Sequence, residues 1–160
     1  AYPCFCTQDD LNNMRTKQEN AKVRPGYYGV WSHCRNIPLD EAIQRIKNGE
    51  EYIIRLKSMG REDKKIKHHD MIKGNVDFPE NDQDIVIIKS DGLPTYHFAH
   101  VVDDYLMGTT NVIRGDEWIS SAPIHLQLFD ILGFEKPRSL TMSMARTLPL
   151  AFLSVKIDSK

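Results

Sequence analysis

The chain has 160 residues, of which 41% are apolar and 27% are charged, as in ordinary globular proteins of one or two small domains. Its formal net charge of -1 excludes the global positive field of a general nucleic-acid binder. No apolar run approaches the roughly 20 residues of a membrane-spanning helix, and no signal peptide is recognisable, so no membrane partner is expected. Because the sequence starts abruptly at Ala1 without methionine, we expect a processed or excised chain.

Three cysteines lie near the start of the chain, and the Cys4-x-Cys6 pair is too closely spaced for an easy disulfide. Three thiols cannot all pair internally, so the pattern favours a reducing, cytoplasmic compartment. It also favours a metal-binding site formed by the closely spaced cysteines. Zinc prefers four nitrogen or sulphur ligands in a tetrahedron, and Cys34 would be the third ligand. His33 or Tyr28 could supply the fourth. The alternative is three free, partly buried cysteines.

Two helices, a strand and a basic stretch are predicted after the first cysteines. Thr7 is a suitable N-cap for the first helix, because acidic residues follow it in the first turn. A second helix starts at Pro38-Leu39 and ends at Asn48-Gly49, and residues 52–57 form a strand. The basic stretch is either a solvated hairpin or a surface that contacts RNA phosphates. It contains Arg61, Lys64, Lys65, Lys67, His68 and His69.

The centre of the chain carries a turn, a helix and a strand that ends in an arginine. Asp91-Gly92 marks a turn after a buried strand at 85–88, and Pro94 suits the start of a helix. Residues 109–113 are mostly β-branched and form a strand that ends at Arg114-Gly115. Ligands of open α/β sheets bind at the carboxyl edge of the strands, so Arg114 is a candidate ligand-binding residue. The alternative is an ordinary surface arginine at a strand end.

The same stretch carries a long sequence resemblance. Its pattern DG-x-PTY-H-x-A-x-VVDD-x-LMG-x-T-x-VIRG-D-E resembles bacterial glutamyl-tRNA synthetases, which are class I aminoacyl-tRNA synthetases. The similarity extends from Asp84 to Pro137, and it includes a helix that Ser120 or Ser121 caps and Gly133 ends. Residues 71–78 also resemble the D-x-I-x-G-x-V-x-F hairpin of this family. A match of this length is far more specific than a short motif.

The end of the chain departs from the family pattern. Ser139–Arg146 lacks the usual Y-x-H sequence, and Thr147 stands where histidine often precedes L-P-L. Leu148-Pro149-Leu150 matches the family pattern again. Val155–Lys160 looks like the segment that precedes the K-x-S-K signature loop, and the chain ends before that loop. The H-x-G-H motif and the anticodon-reading domain are absent. We therefore expect the middle part of a synthetase, which does not activate glutamate by itself.

The resemblance implies an α/β fold, namely a partial Rossmann-type class I catalytic fold with an inserted α+β domain that binds the tRNA acceptor stem. Residues 1–90 would form the inserted domain, and residues 91–160 the truncated second half of the catalytic domain. Many family members hold zinc with Cys-x-Cys and a later Tyr and Cys, or Cys and His. Here the interval from Tyr28 to Cys34 is longer than usual, and Asn36 stands where a histidine would be needed.

The resemblance also implies a two-step reaction of a monomeric enzyme. Glutamate and ATP with magnesium form glutamyl-adenylate and pyrophosphate, and the glutamyl group then passes to the terminal adenosine of tRNA(Glu). Tyr96, His100 and Arg114 would hold glutamate, although the family often has asparagine at the position of His100. Glu117 and Trp118 would border the adenosine. Each of these residues also has a purely structural interpretation. Tyr96 would be an aromatic residue of the core, Glu117 an acidic residue that stabilises a helix N-terminus, and Trp118 a hydrophobic staple that packs on the next helix.

Two further hypotheses stay open. The first is the shorter paralogue that glutamylates a queuosine base in tRNA, which also carries a zinc-bearing middle region. The VVDD-x-LMG and IRG-D-E-W runs match the synthetase better. The second is a free-standing, non-catalytic zinc and RNA-binding module. Substrate-type residues at a strand edge are evidence against that second hypothesis.

Overall fold

The computed structural model of the protein describes residues 1–142 and 153–155. Its helices are α1 (Gln8–Asn20), α2 (Leu39–Lys47), α3 (Tyr96–Leu106) and α4 (Ala122–Leu132), with 3₁₀ helices at Gly29–Trp31 and Asp116–Ser121. Its strands are β1 (Tyr2–Cys4), β2 (Ile53–Arg55), β3 (Lys65–Asp70), β4 (Gly74–Pro79), β5 (Val86–Ile88), β6 (Asn111–Gly115), β7 (Arg138–Met142) and β8 (Leu153–Val155). The predicted α/β class is confirmed. The predicted L-P-L frame at 148–150 and the approach to a signature loop at 156–160 lie outside the described residues.

The chain divides into two compact units, each made of two stretches of sequence. Unit 1 comprises Ala1–Met59 and Asp82–Thr95, and unit 2 comprises Gly60–Asn81 and Tyr96–Lys160. The expected functional domains at 1–90 and 91–160 stay a prediction. Among the described residues, no helix is long and apolar enough to cross a lipid bilayer.

Unit 1 contains a three-stranded antiparallel sheet with the order β1-β2-β5. Thr7 is the N-cap of α1, as predicted, because a capping box forms there: the Asp10 amide donates to the Thr7 hydroxyl, and the Asp10 carboxylate accepts from the Thr7 amide. On the inner face of α1, Gln18 is fully buried and makes two hydrogen bonds with the backbone of Gly26, of 2.7 Å and 3.0 Å. These contacts fix the loop between α1 and Tyr27.

A buried carboxylate, Asp84, connects distant segments of unit 1. It accepts hydrogen bonds from the Tyr2 hydroxyl at 2.7 Å and the Ser58 amide at 2.8 Å, and it forms an ion pair with Arg35. The Arg35 guanidinium also donates to the Ser58 carbonyl, and the Arg55 guanidinium donates to the Asp84 carbonyl. Burial of a charge is tolerated when it is paired and hydrogen-bonded in this way.

Unit 2 contains a five-stranded mixed sheet with the order β4-β3-β7-β6-β8. Strands β3 and β4 form the predicted antiparallel hairpin, and β7 runs parallel to both β3 and β6. The arginine strand is confirmed, but it runs to Gly115 and so includes Arg114, which lies opposite Thr141 of β7. Helix α3 starts at Tyr96 rather than Pro94, because Pro94 still pairs with Ile88 in an isolated bridge.

Helix α4 follows the arginine strand and ends as predicted. The C-cap is Gly133, whose φ of 68° is left-handed and therefore suits glycine. Ser121 occupies the N-cap position, but its side chain makes no capping hydrogen bond. The 3₁₀ helix at Asp116–Ser121 instead runs directly into α4, so the preceding turn already supplies helical backbone.

A second buried carboxylate joins β3 to β7. Asp70, which is 2% exposed, accepts hydrogen bonds from the hydroxyls of Ser139 and Thr141 at 3.0 Å and 2.7 Å. It also accepts from the backbone amides of Ile72, Lys73 and Thr141. Burial alone would raise the pKa of Asp70, but these hydrogen bonds outweigh it and hold the pKa well below its usual range. The charged carboxylate thus holds two parallel strands together.

Candidate functional site

The first part of the candidate site is an aromatic stack at the start of α3. The Tyr96 ring lies parallel to the His100 ring, with centroids 5.8 Å apart, and its centroid is 5.3 Å from that of Trp118. Residues 96 and 100 share a face because they are one helical turn apart. Tyr96 is 45% exposed, whereas His100 is 9% exposed. The structure therefore brings together three of the predicted site residues around one partly open aromatic surface.

Arg114 extends this surface from the last part of β6. Its guanidinium lies near the phenol of Tyr96 and the carboxylate of Asp104, and the carboxylate favours its charged form. Burial lowers the pKa of Arg114, yet an arginine keeps its charge at every physiological pH. A partly desolvated guanidinium beside an aromatic stack is suited to binding a carboxylate, because its fork can donate two parallel hydrogen bonds.

Three histidines lie around Arg114, and two of them were not predicted. His97 Nδ1 is 3.0 Å from His125 Nε2, and His125 Nδ1 is 3.4 Å from Arg114 Nη1. Desolvation lowers the pKa of all three imidazoles and brings that of His125 to about 2. The signal for His125 was its place on the buried face of α4, where Ala122, Leu126 and Phe129 follow helical spacing.

Glu117 and Trp118 follow the arginine in the 3₁₀ helix. Glu117 is exposed, and its carboxylate lies against Gly115 so closely that a Cβ at that glycine would be 2.4 Å from Glu117 Oε2. Asp116, the residue after Gly115, forms a 2.6 Å ion pair with Lys73 of the β3–β4 hairpin. Because the end of an exposed glutamate side chain can move, this close approach does not by itself require glycine at 115. The assignment of Glu117 and Trp118 to adenosine stays a prediction.

A small cavity of about 30 Å³ lies beside the arginine in unit 2. Its wall combines apolar side chains of β4 and α4 with polar side chains that come mainly from β3, β6 and β7. The polar side chains include His68, whose Nε2 is 2.6 Å from the Ser139 hydroxyl. The cavity is large enough for a water molecule but not for an amino acid. We therefore place the candidate substrate surface at the Tyr96 stack and not in this cavity.

The second candidate site is the cysteine cluster of unit 1. The sulphur atoms of Cys4, Cys6 and Cys34 all lie within 4.8 Å of one another, and those of Cys6 and Cys34 are 3.6 Å apart. Tetrahedral zinc with Zn–S bonds of about 2.3 Å would separate its sulphur ligands by roughly 3.8 Å. Hydrogen bonds from Cys34 and Cys6 hold the pKa of Cys4 below its usual range. This donor set fits zinc.

The tyrosine at the cluster is Tyr27 and not Tyr28. The Tyr27 hydroxyl is 3.4 Å from Cys4 Sγ and 3.3 Å from Cys6 Sγ, and it accepts a 3.0 Å hydrogen bond from the Cys34 amide. Tyr28 donates instead to the Arg24 carbonyl at 2.6 Å. Its backbone is extended, so neighbouring side chains point to opposite sides. His33 is exposed.

Comparison with known proteins places this geometry in a family. The family model described as "tRNA synthetases class I (E and Q), catalytic domain" matches residues 1–156. The chain belongs to this family. It is 62% identical over 138 residues to the glutamate–tRNA ligase of Clostridium beijerinckii, and 59% identical over 138 residues to that of Clostridium perfringens strain 13. Each alignment covers 86% of this chain and 25% of the relative.

A solved structure agrees with this assignment. The glutamate tRNA ligase from Elizabethkingia meningosepticum CCUG26117, crystallised in complex with its amino acid, matches with a TM-score of 0.78 and 32% identity. The match covers 89% of this chain and 29% of that chain. The class I tRNA synthetase fold expected from the sequence is therefore confirmed. The chain spans about a quarter of the length of the curated relatives that it matches.

Proposed function

We propose that this chain is part of a longer glutamate–tRNA ligase, called the parent enzyme below. The parent enzyme activates glutamate with ATP and magnesium and transfers it to the 3′ end of tRNA(Glu). The names of the relatives support this proposal, since they are glutamate–tRNA ligases at 59–62% identity. Such chemistry depends on positioning and charge stabilisation more than on covalent catalysis by side chains.

The observation that carries the proposal is the placement of Arg114 beside the stack of Tyr96 and His100. Glutamate has two carboxylates, and it differs from glutamine by the charge of one of them. A guanidinium on the strand edge recognises that charge, while the Tyr96 hydroxyl supplies a second polar contact at the open side. Glu117 and Trp118, which follow on the next turn, border the adenosine of ATP in this proposal.

The cysteine cluster is proposed as a structural zinc site with Cys4, Cys6, Cys34 and Tyr27 as ligands. A closed four-ligand site contributes folding energy and leaves no open position for a substrate. These side chains join the segment from β1 to the start of α1 with the loops at Tyr27 and Cys34, which follow it by more than twenty residues in sequence. The zinc would thus stabilise unit 1, which forms part of the surface for the acceptor stem.

In this proposal, the two residue ranges have the functions that the sequence predicted. Residues 1–90 contact the acceptor stem of tRNA(Glu), and residues 91–160 complete the catalytic domain of a monomeric, cytoplasmic enzyme. Three free cysteines in the first 34 residues support a reducing compartment. The sequence contains no H-x-G-H motif to clamp ATP phosphates, so the 160-residue chain alone does not form the adenylate.

The test is charging of tRNA by the parent enzyme. We expect incorporation of glutamate at the 3′ end of tRNA(Glu), as an ester that mild base removes. The queuosine paralogue would instead load glutamate onto a tRNA base within the anticodon loop, and cleavage of the tRNA into halves distinguishes the two products. Absence of any charging, with tRNA binding retained, would favour the non-catalytic RNA-binding module.

A further inference from the structure

The hydrogen bonds around Arg114 determine where the protons of two imidazoles lie. A guanidinium can only donate, so the 3.4 Å contact with Arg114 Nη1 requires His125 Nδ1 to be the acceptor. The proton of neutral His125 is then on Nε2, which faces His97 Nδ1 at 3.0 Å. His97 Nδ1 must accept that proton, so the proton of His97 is on its own Nε2. The chain of donors therefore runs from Arg114 through His125 to His97.

We infer that His125, oriented by His97, is a positioning residue that holds the guanidinium of Arg114 in the direction of the substrate carboxylate. This inference rests on the proposed function, in which Arg114 binds glutamate. A long arginine side chain has several free rotations, and an acceptor fixed on a neighbouring helix removes some of them before the substrate binds. The acceptor is on α4, whereas Arg114 is on β6, so the packing of these two elements determines the orientation of the guanidinium.

The surroundings favour the neutral state that this role requires. His125 is 2% exposed, and the groups facing it are His97 and His100 of α3, Arg114 of β6 and the edge of the Tyr96 ring. Asp104 pairs with His100 at 3.1 Å and not with His125. A proton on both nitrogens of His125 would point an N–H at the guanidinium. Burial lowers the pKa of His125 to about 2, so the acceptor persists across physiological pH.

The first experiment reads the protons directly in the 160-residue chain. Nitrogen-15 spectra of the imidazoles distinguish a nitrogen that carries a proton from one that does not, and His125→Asn assigns the signals. We expect neutral His125 with its proton on Nε2, unchanged from pH 8 to pH 5. A proton on Nδ1, or protonation of His125 within this range, would overturn the inference without reference to any enzymatic activity.

The second experiment measures glutamate use by the parent enzyme with two substitutions at one position. In His125→Asn, the amide oxygen takes the place of Nδ1 and still accepts from Arg114. In His125→Leu, no acceptor remains. We expect His125→Leu to raise the KM for glutamate at least about tenfold, with the KM for ATP nearly unchanged. We expect His125→Asn to stay within about threefold of the wild type. Asp130→Asn, at an exposed residue of the same helix, is the control.

The outcomes separate this inference from the function on which it rests. If Arg114→Ala impairs glutamate use but His125→Leu does not, His125 has no positioning role and only this inference is wrong. If Asn and Leu at 125 are equally impaired although both variants fold, the acceptor at Nδ1 is not what matters, which also overturns it. If Arg114→Ala has no effect, the proposed glutamate site is wrong as well. Should His125→Leu fail to fold, the spectra and His125→Asn still decide.

Discussion

Replacement of Arg114 by alanine in the parent enzyme is expected to weaken glutamate use far more than ATP use. The guanidinium is partly buried, and burial depresses its pKa, so a carboxylate that pairs with it does so at low local dielectric. Removal of one partner of a buried, hydrogen-bonded charge pair costs about 2–5 kcal/mol. Each 1.4 kcal/mol corresponds to about a tenfold change in an equilibrium constant. The neighbouring Tyr96 is 45% exposed, so we take the lower end and expect at least about tenfold.

The assay is pyrophosphate exchange by the parent enzyme in the presence of tRNA(Glu), with glutamate and ATP varied separately. Arg114→Lys keeps the charge but loses the bidentate fork, so we expect it to restore glutamate use only in part. Circular dichroism of both variants controls for folding. An unchanged KM for glutamate in folded Arg114→Ala would mean that the arginine is structural, and the location of the amino-acid site would then be wrong.

Three other outcomes are expected. Elemental analysis of protein expressed with ample zinc should give one zinc per chain, and Tyr27→Phe should weaken zinc retention against a chelator while Tyr28→Phe does not. Asp70→Asn should destabilise folding by about 1–3 kcal/mol, because it removes a carboxylate that accepts five hydrogen bonds. The pKa of Asp70 is lower in the folded than in the unfolded state, so its contribution to the free energy of unfolding is fully present above about pH 4 and is lost as the pH falls. Urea titrations at several pH values should show this loss for the wild type but not for Asp70→Asn. Finally, the 160-residue chain alone should catalyse no glutamate-dependent pyrophosphate exchange; exchange above background would show that the missing H-x-G-H motif is not needed.

The parts of the fold that depend on local sequence could be predicted. The capping box at Thr7, the stop at Gly133 and the strand that carries Arg114 all follow from the residues within one or two turns. The error at Pro94 was equally local, since a proline that suits a helix start can also extend a strand bridge. Periodicity therefore predicted the elements, and the resemblance indicated which strand end carries the candidate ligand-binding arginine.

The parts that depend on distant contacts could not be predicted. Tyr27 and Tyr28 are adjacent and chemically identical, and only the packing of unit 1 decides which of them faces the thiols. The pairing of His97 with His125 joins residues 28 positions apart, through a helix packing that no period in the sequence specifies. The same is true of Asp70, whose hydroxyl partners are about 70 residues away. A buried polar residue can be suspected from its position on an apolar face, but its partner cannot.

The carboxylate of Asp84 sets a constraint on how this protein emerges from the ribosome. Its partners include Tyr2, which is 82 residues earlier, and Arg35, which is 49 residues earlier. The nascent chain therefore cannot complete the polar centre of unit 1 until residue 84 has left the exit tunnel, after residues 60–81 of unit 2 have been synthesised. During that interval the Arg35 guanidinium lacks its carboxylate, and the early sheet strands lack β5 at their edge. Emergence of residue 84 is thus the earliest point in synthesis at which unit 1 can be completed.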